Sequence, residues 1–81
     1  MSEAQLQKLV AETLRLPVDR VDETLEFSAV PEWDSLSHIT LMLELESAYG
    51  VSIPDDLVLE LTSYGAIREF VLQQSAAQNG G

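Results

Sequence analysis

The chain has 81 residues, 14 of them acidic and 4 basic, for a formal net charge of −10, and it contains no cysteine. A chain of this length forms one domain that buries roughly 60% of its unfolded surface, leaving little room for a deep catalytic cavity beside a core. The charge disfavours nucleic acid and anionic membranes, whose phosphates need Lys and Arg; the missing thiol removes disulfides, thiolate metal sites and a cysteine nucleophile.

Ser2 and Gln5 stand three apart, as in a capping box, and open an apolar pattern at Leu6, Leu9, Val10 and Leu14 that Pro17 stops. A first helix is expected over residues 3–16. The stretch Met1-Ser2-Glu3-Ala4-Gln5 lacks the basic and apolar regions of a signal peptide. No apolar run in the chain approaches the ~20 residues of a membrane span. Both features agree with a cytoplasmic protein.

Periodicity is lost from Pro17 to Trp33, a long stretch for a connection in a compact domain. Acids at Asp19, Asp22, Glu23, Glu26 and Glu32 alternate with Val18, Val21, Leu25, Phe27 and Val30. A disordered linker would leave those apolar side chains in water. An ordered loop over the core is expected, with a short turn near residues 21–25. The acids lack the central glycine and alternating oxygen ligands of a calcium loop.

Residues 35–49 form the strongest helical pattern. Leu36, Ile39, Met42, Leu43, Leu45 and Tyr49 read as the apolar face, and Ser37, Thr40, Glu44 and Ser47 as the polar stripe. Asp34 is the expected N-cap and Gly50 the C′ residue. Leu36 is expected to hold the head of the helix in the core.

Val51-Ser52-Ile53-Pro54 reads as an extended connector. Asp55 would cap a short helix through Leu57, Val58 and Leu61. Thr62 or Ser63 would cap a last helix with Ala66, Ile67, Phe70 and Val71 facing inward. Gln73 onward has no apolar anchor beyond alanine and is expected to fray. The sum is an all-α, monomeric four-helix bundle of three longer helices and one short one, with a long ordered loop after the first. Residues 1–73 would be the domain and 74–81 a flexible tail.

Chemistry concentrates at Ser35. With Asp34 as N-cap it occupies the first helical position, where the macrodipole and free backbone N–H groups favour an anion. An Asp-Ser pair at a helix start is most often only a cap. Ser35 and His38 share one helical face, but a hydrolytic triad also needs an acid behind the imidazole and an oxyanion hole. One helical turn supplies neither.

Asp34-Ser35-Leu36, the helix Ile39-Thr40-Leu41-Met42-Leu43-Glu44-Leu45-Glu46 and the exit Tyr49-Gly50-Val51-Ser52-Ile53-Pro54-Asp55-Asp56 together resemble the acyl and peptidyl carrier proteins. The likeness covers the chain from Ser2 to about Leu72. It implies a bundle that is not itself an enzyme. Ser35 would bear a covalent 4′-phosphopantetheine arm, transferred from coenzyme A by a phosphopantetheinyl transferase, with Asp34 and Leu36 flanking the attachment. The terminal thiol of the arm would carry acyl or aminoacyl groups as thioesters to partner enzymes, so the reactive sulfur would be the cofactor's.

Two departures from the fatty-acid-synthesis pattern stand out. Glu32-Trp33 replaces a small pair before Asp34, and Ser37, His38 and Thr40 replace acids on the outer stripe, where Glu44 and Glu46 remain. The Gly-Gly-His/Asp-Ser pattern of peptidyl carriers is also absent. These departures point to a free-standing carrier of a specialised polyketide or nonribosomal peptide pathway. The alternatives are a fatty-acid carrier and an unmodified helical adaptor. His38, Thr40 and Glu44 are expected to be exposed and to meet partners. Trp33 is either a partner anchor or a side chain packed over the loop. Leu57, Val58, Leu59 and Leu61 are either dense packing or a wall against the arm, and Met42 is expected in the core.

Overall fold

The computed structural model describes residues 3–80, with side chains to residue 74. Its elements are α1 (Glu3–Leu14), a single 3-10 turn (Val18–Arg20), α2 (Ser35–Tyr49), α3 (Asp55–Val58) and α4 (Tyr64–Gly80). The expected all-α bundle of three longer helices and a short one is what forms. The capping box proposed at Ser2 lies outside the described residues.

The first helix ends two residues before the expected boundary, and Pro17 is not what stops it. Arg15 turns into the left-handed region at φ 60°. The Leu16 amide then bonds the Ala11 carbonyl at 2.9 Å and the Arg15 amide that of Glu12 at 3.4 Å. This is the paired Schellman closure, with buried Leu16 as its apolar anchor. Glycine is the usual residue at such a position, because a Cβ there crowds the following carbonyl. Arg15→Gly is therefore expected to raise stability by about 1 kcal/mol and the melting temperature by several degrees. An unchanged thermal transition would show that the arginine carries no strain.

Leu6, Val10 and Leu14 of α1, Leu41 and Leu45 of α2, and Ile67 and Val71 of α4 meet in one core. The long loop closes over it as expected. Val21, Leu25, Val30 and Trp33 are buried. Gln7 Nε2 donates to the Val21 carbonyl at 2.9 Å. An antiparallel bridge between Glu26 and Ser63 fastens the loop to the head of α4, through Phe27 N–H to Thr62 O (2.7 Å) and Tyr64 N–H to Leu25 O (3.0 Å). Arg68 adds ion pairs to Glu23 of the loop and Glu3 of α1. Tyr64, whose hydroxyl donates to Glu3 at 3.1 Å, is held protonated far above the usual phenol range, first by burial and then by that carboxylate.

Helix α2 turns inward a face that keeps Met42 and Leu45 of the expected one and adds His38 and Leu41. His38, Leu41, Met42 and Leu45 are buried. Leu36, Ile39 and Leu43 stand out in solvent at 78%, 49% and 60% exposure. Leu36 therefore does not hold the helix head in the core. Gly50 takes φ 63° and ends the helix as expected. Glu46 is not an outward acid free for partners, since its Oε2 accepts the Ile53 amide at 2.8 Å and secures the connector.

Helix α3 spans four residues, and Asp55 is its first residue rather than its cap. Pro54 stands at the N-cap without a side-chain bond. Leu57 and Val58 are half-buried and Leu59 is 79% exposed, so the dense packing considered for Leu59 does not occur. Ser63 caps α4, its Oγ accepting the Ala66 amide at 3.1 Å. Ile67, Phe70 and Val71 face the core as expected. The helix continues past the boundary expected near Gln73.

Candidate functional site

The head of α2 is built from its cap outward. Asp34 Oδ1 accepts the Ser37 amide at 2.9 Å, and the Asp34 carbonyl accepts that of His38 at 2.8 Å. Ser35 follows as the first helical residue, exposed and with no hydrogen bond from its hydroxyl among the described residues. The backbone is thus satisfied by the neighbour, and the serine hydroxyl is left for outside chemistry. The Ser37 amide, together with the Ser37 side chain, holds the Asp34 carboxyl below its ordinary value of 3.8. A depressed carboxylate stabilises the fold above its unfolded value, and that contribution vanishes as pH falls through the lower folded value. The Ser37 amide resonance is expected to titrate with a midpoint below 3.8, and Asp34→Asn to abolish the transition.

Sequence reasoning placed His38 in solvent and left Trp33 open as a partner anchor. The structure overturns the first and removes the second. Trp33 is 0% exposed and His38 6%. The Trp33 indole N–H donates to His38 Nδ1 at 3.0 Å, and His38 Nε2 lies 2.7 Å from the Val58 carbonyl. An indole nitrogen can only donate and a carbonyl can only accept, so the imidazole is the Nε2–H tautomer. Phe27 meets both rings edge-on, with centroids 5.5 Å from His38 and 6.5 Å from Trp33. Burial of two ring nitrogens is affordable here because each is hydrogen-bonded. The alternative weighed for Trp33, packing over the loop before Asp34, is the observed one.

This relay was legible in one respect that the leucines obscured. His38, Leu41, Met42, Leu45 and Tyr49 follow i, i+3, i+4, i+7, i+11, an unbroken helical stripe. Counting the histidine as apolar would have revealed the buried face.

Ser35 and His38 line the same recess, a hollow of about 190 Å³ between α2 and α3. Its other walls are Phe27, Ile39, Val58, Leu59 and Thr62. Ser35 faces no acid–base partner there, because both nitrogens of His38 are committed elsewhere. On the outer side of α2, Thr40 and Glu44 are exposed and line a cleft with Lys8, Glu12 and Thr13 of α1. The Thr40 hydroxyl donates to its own helix, at the Leu36 carbonyl. In the loop, Asp22 accepts bonds from the Thr24 hydroxyl and, second, the Thr24 amide, which hold its carboxyl below the usual range. No group of three His, Asp or Glu side chains gathers for a metal among the described residues. No helix there is long and apolar enough to cross a membrane.

Fold and site together define a small helical bundle that presents an exposed serine hydroxyl at the head of its second helix. A family model described as the phosphopantetheine attachment site matches residues 4–71. The chain is 29% identical over 73 residues to an acyl carrier protein of Rubrobacter xylanophilus, with 90% of each chain covered. The protein belongs to the phosphopantetheine attachment-site family, whose members carry 4′-phosphopantetheine covalently and are carriers rather than enzymes.

Proposed function

We propose that Ser35 bears the phosphopantetheine arm, and that the protein carries acyl or aminoacyl groups in a specialised pathway of the polyketide or nonribosomal peptide kind. The observation that carries the first part is the exposed, unbonded Ser35 hydroxyl at the head of α2, with an apolar recess beside it. When bound, the arm supplies a terminal thiol on which the cargo is held as a thioester. The chain's own contribution is attachment and presentation. Asp34 caps the helix and fixes the direction of Ser35. The N-terminal end of α2 offers a positive dipole to the phosphodiester. Leu36, exposed next to the anchor, gives an incoming transferase an apolar foothold.

The specialised role is supported by the outer face of α2. Leu36, Ile39 and Leu43 form an exposed ridge, flanked by Thr40 and Glu44. Glu46 is spent on Ile53, so Glu44 is the acid this face keeps for a partner. Such a face suits loading and processing enzymes with apolar docking surfaces. Trp33 and His38 contribute from beneath by holding the ridge in place.

The test is modification by a promiscuous phosphopantetheinyl transferase with coenzyme A and magnesium, followed by intact mass and fragment mapping. A gain of one phosphopantetheinyl group on Ser35 is expected. Folded protein of unchanged mass would overturn the reading in favour of an unmodified adaptor. The pathway is tested by offering the modified protein to aminoacyl-adenylating and fatty-acid-elongating enzymes in parallel. Efficient service to the second alone would overturn the specialised role.

A further inference from the structure

We propose that His38 limits the depth of the recess beside Ser35, and so restricts the group sheltered there to a short apolar acyl chain. The inference rests on Ser35 being the attachment residue. The hollow measures about 190 Å³, below the ~300 Å³ at which pockets for whole small molecules begin. Ile39 and Leu59 form its exposed apolar sides and Phe27 and Val58 its half-buried ones. His38 is the buried polar residue among its walls, and both its nitrogens are bonded, to Trp33 at 3.0 Å and to Val58 at 2.7 Å.

Those two bonds join three parts of the chain: the end of the long loop, α2 and α3. Helix α3 has four residues, none fully buried. Among the described residues, the side-chain hydrogen bond that reaches it comes from His38. The position of α3 against α2 therefore depends on this imidazole, on Leu61 behind it and on the Ile53 connector before it. Along the same stripe of α2 beyond His38 come Leu41, Met42 and Leu45, the core itself. A chain sliding inward between α2 and α3 must displace the imidazole and strand the Trp33 N–H and the Val58 carbonyl. Buried groups left unbonded in this way are costly. A short acyl chain stays in the apolar mouth and disturbs neither bond.

The experiment has two readouts. In the unmodified protein, amide exchange is measured at Leu57, Val58, Glu60 and Leu61, which are hydrogen-bonded in and after α3. His38→Ala is expected to accelerate them roughly tenfold or more relative to amides in α1. His38→Gln, whose amide can replace the Nε2–H donor, is expected to stay near wild type. Next, modified protein is loaded with butyryl, octanoyl and dodecanoyl groups, and melting temperature is followed with cross-relaxation from the acyl methyl. In wild type the thermal gain is expected to stop at the shortest chain, with methyl contacts to Ile39 and Leu59. In His38→Ala it is expected to continue with length, with contacts reaching Met42 and Leu45.

A wild-type gain that grows through dodecanoyl, or unchanged α3 exchange in His38→Ala, overturns the proposal. Failure of His38→Ala to fold leaves the wild-type length series and the His38→Gln exchange to decide it. Absence of any mass gain on modification would instead sink the role of Ser35, a separate result from a wrong length dependence in loaded protein.

Discussion

Ser35→Ala is expected to abolish phosphopantetheine transfer completely while leaving the fold intact. The serine is exposed, and its hydroxyl makes no hydrogen bond among the described residues. The capping of α2 belongs to Asp34, through Ser37. Alanine at the first helical position removes nothing that holds the helix, so the change in stability should stay within about 0.5 kcal/mol, as for ordinary surface sites. Intact mass after incubation with coenzyme A, magnesium and transferase should then show no gain. Circular dichroism melting should match wild type. Ser37→Ala is the control and should keep the full gain. Modification of Ser35→Ala to the wild-type extent would place the arm on another residue.

Trp33→Ala is expected to produce the largest loss of stability of any single change at the site. The side chain is fully enclosed, packs edge-on against Phe27 and donates to His38. Emptying a site of this size costs about 3–5 kcal/mol. For a domain of this length the whole stability is only ~4–12 kcal/mol. Trp33→Phe separates packing from hydrogen bonding. It restores most of the buried area but leaves His38 Nδ1 without its donor, a loss of about 1–3 kcal/mol. Urea unfolding should show both as shifts of midpoint at a nearly constant slope. A loss below about 1 kcal/mol for Trp33→Ala would mean that the indole is not a core element.

Both predictions draw on a short segment whose helix caps follow from local sequence and whose buried His38 does not. Asp34 as cap, Ser35 as first residue and Gly50 as terminator are local matters, decided by backbone geometry that any reader of the chain can apply. The same holds for Ser63 at the head of α4. The orientation of α2 is not local. Leucine, isoleucine and methionine occur on nearly every side of it, so apolar spacing admits more than one inward face. The choice fell to the face with His38, because Trp33 and Val58 satisfy its two nitrogens once they are brought against it. Leu36, Ile39 and Leu43 were left in solvent as a consequence.

The same division runs through the rest of the molecule. Composition, charge, helix number and the place of Ser35 at the head of α2 are properties of residue types and their order along the chain, readable without coordinates. The end of α1 at Arg15 was not. A left-handed arginine is disfavoured locally and persists here with the closure that buries Leu16. Nor was the use of Glu46 to hold the Ile53 amide, seven residues away. Ser35, Asp34 and the helix they open belong to the sequence alone. The recess beside Ser35 and the exposed ridge of α2 belong to the tertiary structure, because buried polar groups must find partners and only packing brings Trp33, His38 and Val58 together.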